Sequence, residues 1–96
     1  MAAYVIIDSE VTDEAVFFGS FLEQGRAVVE AHGGKYLARG GATEVIQGNW
    51  APRRLVVLEF DSVERAKGWQ DAPDYADLRK MLNRCSNTDV VIVEGV

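Results

Sequence analysis

The sequence predicts an α+β domain with the element order β-α-β-β-α-β, and three observations carry that prediction. The runs Tyr4-Val5-Ile6-Ile7, Leu55-Val56-Val57-Leu58 and Val90-Val91-Ile92-Val93 are apolar on both parities, as strands covered on two faces are. Between them lie two stretches in which apolar residues recur at helical spacing after an acidic start. A glycine-bearing apolar segment after the first helix supplies the remaining strand. With 96 residues, 48% of them apolar, the chain is expected to be one globular domain, residues 1–96.

The first strand is expected over Met1 to Glu10, its β-branched residues suiting the middle of a sheet. Thr12 offers an N-cap, and Asp13 and Glu14 put negative charge in a first helical turn, where the helix dipole favours it. Phe18, Phe21, Gly25, Val28 and His32 then follow at helical spacing, with Phe17, Leu22 and Val29 widening the stripe. Gly33-Gly34 ends the helix, because glycine accepts the left-handed geometry required there.

A second strand spans Lys35 to Ile46, interrupted by Gly40-Gly41, a pair that suggests a bulge or a close backbone approach. Gly48 to Pro52 forms a turn into a third strand, Arg54 to Phe60, so a hairpin is expected. Asp61 and Glu64 resemble a capping box opening a second helix, with Val63, Ala66 and Trp69 on its inner face. Pro73 breaks that helix, and Tyr75, Leu78, Leu82 and Cys85 mark its resumption on one face. Asn87 to Val96 is the last strand.

Two short βαβ halves of this kind build a ferredoxin-like, four-stranded antiparallel sheet with two helices on one face. The other face would then be bare, although the strands are apolar on both parities. A chain of this size hides only roughly 60–65% of its unfolded surface, so association would add to a thin core. A second copy is the simplest cover, and two-fold dimers are the commonest assembly.

Charge narrows the partners. A net charge of −5 disfavours nucleic acid and anionic membranes, both of which reward a basic face. No apolar run approaches the ~18 residues of a membrane span, and no basic lead precedes an apolar signal core. Cys85 is the single cysteine, so no intrachain disulfide or multi-cysteine metal site is expected, and the cytoplasm is the expected compartment.

Several stretches carry a family resemblance: Ala3 to Ile6, Gly33-Gly34-Lys35-Tyr36-Leu37-Ala38-Arg39-Gly40-Gly41, Gly48 to Arg54, Leu58-Glu59-Phe60-Asp61-Ser62, and Trp69 with Ala72-Pro73-Asp74-Tyr75. Together they resemble the small bacterial domain-of-unknown-function 1330 family over essentially the whole chain. The resemblance implies the dimeric α/β-barrel superfamily, in which two ferredoxin-like chains pair their sheets. That superfamily includes cofactor-free monooxygenases, haem-degrading enzymes, muconolactone isomerases and stress-induced dimeric proteins. It implies a fold and leaves the reaction open.

Standard catalytic motifs are absent. Gly33-Gly34-Lys35 lacks the upstream glycine spacing of a phosphate loop, and neither a dinucleotide fingerprint nor a nucleophile elbow is present. No metal site and no cofactor are expected, since a haem would have only His32 as an axial histidine. His32 is either a helix-terminal residue that complements the dipole or a general acid or base opening onto the helix–sheet cleft. Arg39 and Glu59, with Asp8, are charges inside strands, costly unless paired or solvated. Arg39 paired with Glu59 or Asp8 could bind a carboxylate, or the pair could set strand register or an interface.

Tyr36, Trp69 and Tyr75 are either core residues or a pocket lining with polar handles. Trp50, in a turn before Pro52, is expected at a dimer interface or over a pocket mouth, beside Arg53 and Arg54 as a solvated basic spot or as partners for acidic groups of a second copy. Cys85 fits an inert buried thiol. Two functions follow. The first is a homodimer binding a small aromatic or carboxylate molecule in the helix–sheet cleft, with acid–base chemistry by His32, Arg39 and Glu59. The second is a non-catalytic dimeric module whose strand charges fix pairing.

Overall fold

The computed structural model describes all 96 residues. Its elements run β1 (Ala3–Val11), α1 over residues 14–31, β2 (Lys35–Arg39), β3 (Leu55–Phe60), α2 (Val63–Asp71), α3 (Pro73–Cys85) and β4 (Ser86–Glu94). The strands form one antiparallel sheet in the order β2-β3-β1-β4. This is the ferredoxin-like α+β arrangement, in which each βαβ half inserts one strand beside those of the other. Cα extents of 32 × 29 × 16 Å describe a slab two layers thick. No helix is long and apolar enough to cross a membrane.

Strand parity separates the layers. Val5 lies opposite Leu58, and Ala3 opposite Phe60; these four side chains are buried under the helices together with Val56. Their alternates Tyr4, Ile6, Asp8, Val57 and Glu59 point to the other face and are half-buried. That face carries Val91 and Val93 at 56% and 47% exposure, so apolar surface lies open there.

The first helix starts and curves differently from the expectation. Asp13, not Thr12, is the N-cap: its backbone is extended and its carboxylate accepts the Val16 N–H at 3.2 Å. The Thr12 and Asp13 N–H groups instead donate to the Cys85 carbonyl at 2.9 and 3.1 Å, tying this corner to the end of α3. Within α1 the segment Phe17–Phe21 is π-helical. This wider turn shifts the inner stripe to Phe17, Phe21, Gly25 and Val29 and leaves Phe18 outside the core. The helix closes as a Schellman motif, with Gly33 at φ +85° donating to Glu30 and Gly34 donating to Val29.

Strand β2 stops at Arg39 rather than continuing to Ile46. The bulge falls at Leu37, between the Tyr36–Leu58 and Ala38–Val57 pairs, and not at Gly40-Gly41. Gly40 turns the chain out at φ +69°, and residues 40–51 are exposed throughout. The second helical start is also displaced by one residue. Ser62, not Asp61, caps α2 by accepting the Arg65 N–H at 3.1 Å. Ala72 is extended because it precedes Pro73, which then opens α3 at its first position.

Candidate functional site

A cavity of about 400 Å³ lies between α1, α3 and the covered face of the sheet. Its walls are apolar: Phe17, Phe18 and Phe21 come from the π-helical turn, and Val56 and Leu58 from β3. Trp69 stacks on Phe60 and meets Tyr75 at a tilt, closing one side, its indole N–H buried without a partner. The polar groups on the lining are few: Ser9, Tyr36, Tyr75, Arg39, Arg54, and a Glu23–Arg26 ion pair at 2.9 Å on α1.

Two arginines give the cavity its electrostatic character. The guanidinium of Arg54 lies 5.4 Å from the Phe17 ring centre and 5.9 Å from that of Phe18, and Arg39 lies 5.2 Å from the Tyr36 ring centre. Neither arginine takes part in an ion pair. Burial, with the like charge of Arg39 adding to it, draws the Arg54 guanidinium below its ordinary value. It remains cationic at neutral pH all the same. Burial also raises the Tyr36 phenol, and it pushes Tyr75 up to about 12, with Tyr36 contributing. The cavity therefore presents fixed positive charge and neutral phenols. Space for Arg54 depends on Gly40, where a Cβ would stand 2.9 Å from the guanidinium.

The residues named from the sequence divide into three places. Arg39, Tyr36, Trp69 and Tyr75 all line the cavity. Asp8 and Glu59 lie on the opposite, open face, so the expected grouping of Arg39 with either acid does not form. Asp8 instead accepts the Trp50 indole N–H at 3.0 Å and the Arg53 backbone N–H at 2.9 Å. Glu59 stands opposite Tyr4 and Lys35. His32 ends α1 outside the cavity lining, its Nε2 3.0 Å from an Asp74 carboxylate oxygen at the start of α3. His32, Arg39 and Glu59 thus occupy separate surfaces.

Strand alternation is the physical reason. Side chains an odd number of residues apart normally face opposite ways, yet the Leu37 bulge puts Tyr36 and Arg39 on one face. Arg53 pairs with Glu10 of its own chain at 2.8 Å, and Asn87 and Arg53 hold that carboxyl below its ordinary value. Arg54 turns into the cavity instead of standing beside Arg53 as a surface spot. Its signal was present in the sequence: it shares parity with the inward Val56, Leu58 and Phe60. Ser9 also lines the cavity, and its sequence signal is the parity it shares with Val5. No cluster of three or more histidine, cysteine or acidic side chains is placed to hold a metal ion.

Fold and site together define a ferredoxin-like α+β protein with an apolar, arginine-bearing cleft between helices and sheet. The chain belongs to the domain of unknown function family DUF1330, whose family model matches residues 2–96. Among solved structures it is similar to a protein of unknown function from Rhodopseudomonas palustris, at 13% identity and a TM-score of 0.76, covering 99% of this chain and 82% of that one. It is also similar to SnoaB, a cofactor-independent oxygenase from Streptomyces nogalater, at 10% identity and a TM-score of 0.70, covering 99% and 93% of the two chains. A dimeric protein of unknown function with a ferredoxin-like fold from Bacteroides fragilis matches at 17% identity and a TM-score of 0.61, covering 98% and 96%. At these identities the likeness is one of fold. No curated protein matches the chain.

Proposed function

We propose that this protein is a homodimer whose helix–sheet cleft binds a small aromatic carboxylate. The observation that carries the reading is the pair of arginines without ion-pair partners at an aromatic-walled cavity of about 400 Å³. A guanidinium in such a place gains most from a carboxylate, which it meets with two parallel hydrogen bonds, while the phenylalanines cover a planar body. The acidic net charge of −5 fits a cytoplasmic protein that binds neither nucleic acid nor membrane. Proton transfer in the cleft falls to the phenols of Tyr36 and Tyr75, since His32 and Glu59 lie elsewhere. The cofactor-independent oxygenase with the same fold supports a cleft that works without a bound cofactor.

Dimerisation rests on the open sheet face and on residues 40–54. Val45, Ile46 and Trp50 are 49%, 87% and 60% exposed along this segment, and Trp50 is bonded to Asp8 on the open face. An open apolar face, with an exposed apolar segment tied to it at Trp50, suits a second copy. The dimeric neighbour of the same fold supports this reading.

Benzoate titrated into a Trp50→Phe variant tests the cleft, because the remaining tryptophan, Trp69, lines it. We expect a saturable change in Trp69 emission, and about a tenfold or greater loss of affinity on Arg54→Gln. A flat titration into the millimolar range would leave the non-catalytic dimer as the better reading. Sedimentation equilibrium tests the assembly: the wild type should run as a dimer and Val91→Glu as a monomer.

A further inference from the structure

A line of hydroxyl groups runs from the cleft into the end of α3, and its hydrogen bonds can point in only one direction. The Ser86 hydroxyl donates to the Leu82 carbonyl at 2.6 Å. A hydroxyl has a single hydrogen. The 2.7 Å contact between Ser86 and Thr88 must therefore be donated by Thr88. Thr88 then has no hydrogen left, so its 2.9 Å contact with Ser9 must be donated by Ser9. The chain runs Ser9 to Thr88 to Ser86 to the Leu82 carbonyl, one of the last acceptors of α3.

This polarity determines what Ser9 can offer. Ser9 lines the cavity and is only 3% exposed, and its one hydrogen is spent on Thr88. Its two lone pairs, which no other group of the chain engages, make it an acceptor toward the cleft. The Ser9 N–H donates to the Arg54 carbonyl at 3.0 Å, so the two residues face each other across β1 and the start of β3. Both side chains reach the cavity. A hydrogen-bond acceptor thus shares the cavity with the guanidinium that would hold a carboxylate.

Resting on the aromatic-carboxylate reading above, we infer that Ser9 recognises a hydrogen-bond donor on the ligand, so that the cleft prefers a phenolic acid to its O-methyl ether. A ligand hydroxyl donates to Ser9, whereas an ether oxygen there sets one acceptor against another and leaves both unsatisfied. Thr88 is a positioning residue: it acts only by holding the Ser9 hydrogen.

Calorimetric titration with benzoate, with 3- and 4-hydroxybenzoate, and with the two matching methoxybenzoates tests this. In the wild type at least one hydroxybenzoate should bind about tenfold more tightly than its methoxy counterpart. Ser9→Ala should bring that ratio to within about twofold while benzoate still binds. Thr88→Val should lower the ratio in the same way, because the freed Ser9 hydroxyl can turn its hydrogen toward an ether oxygen. A merely structural role for Thr88 would weaken every ligand alike and leave the ratio unchanged. Equal binding of hydroxy and methoxy forms by the wild type would overturn the inference while leaving the carboxylate cleft intact. So would a preference that survives in Ser9→Ala, and that variant decides the matter alone if Thr88→Val does not fold. Failure of benzoate and all four derivatives to bind would overturn the cleft reading itself, together with the inference.

Discussion

The indole nitrogen of Trp50 donates to the Asp8 carboxylate at 3.0 Å, on the sheet face that the helices leave open. The other carboxylate oxygen accepts the Arg53 backbone N–H at 2.9 Å. One strand carboxylate therefore holds both ends of a four-residue stretch of the long connection between β2 and β3. A charge that is costly inside a strand is here solvated on one side and used as an anchor on the other.

Asp8→Ala removes both bonds and should free the connection. We expect a loss of roughly 1–3 kcal/mol in stability. Tryptic cleavage after Arg53 and Arg54 should accelerate as the segment opens, and Trp50 emission should shift to the red. Cleavage at the wild-type rate would show that other contacts hold the segment.

Two glycine substitutions should act in opposite directions. At Gly34 a Cβ would stand 2.6 Å from Val29 Cγ1 and 2.7 Å from Phe60 Cζ, in a core where Phe60 is 1% exposed and cannot give way. Gly34→Ala should cost about 1–3 kcal/mol, a fall in Tm of at least several degrees. Gly68, inside α2, has nothing within 4 Å of its Cβ position. Gly68→Ala should add roughly 0.5–1 kcal/mol through helix propensity. Thermal melts of the two variants, read side by side, check both signs.

Tyr75 makes stability fall in strong base. Its phenol is pushed up to about 12 in the folded chain from an ordinary 10.0, chiefly by burial. The fold thus favours the protonated form, and its contribution is fully present below about pH 10 and is lost as pH rises toward 12. Tm measured across that window should decline, and it should decline less in Tyr75→Phe. An absorbance titration of tyrosinate should likewise lose its latest step in that variant.

Cys85 should be inert in the native chain. The thiol is 1% exposed, burial raises its pKa, and it donates weakly to the Leu82 carbonyl at 3.6 Å. An aromatic disulfide reagent at pH 8 should react slowly until guanidinium unfolds the protein, then rapidly with one equivalent. Rapid native reaction would show that the end of α3 opens readily.

The elements were legible because each is specified locally. Acidic starts, the Gly33-Gly34 stop and the Pro73 break all act through neighbours a few residues away, and all fall within a residue or two of their expected places. The caps at Asp13 and Ser62 each lie one residue beyond the expected Thr12 and Asp61, since adjacent polar residues compete for one role and backbone geometry selects the winner. The candidate site was legible in part. Tyr36, Arg39, Trp69 and Tyr75 meet at the cavity, while His32, Glu59 and Asp8 do not.

What the sequence by itself determined is the order of strands and helices and a bare apolar sheet face. These follow from periods of two and of about 3.6 residues, which every short window carries. Tertiary structure alone decided which charges share a face. The Leu37 bulge reverses strand parity between Tyr36 and Arg39, and the π-helical turn at Phe17–Phe21 rotates Phe18 out of the stripe. Both are one-residue irregularities in hydrogen bonding, set by how the sheet and helix pack against each other, and they bring two arginines to one aromatic cleft.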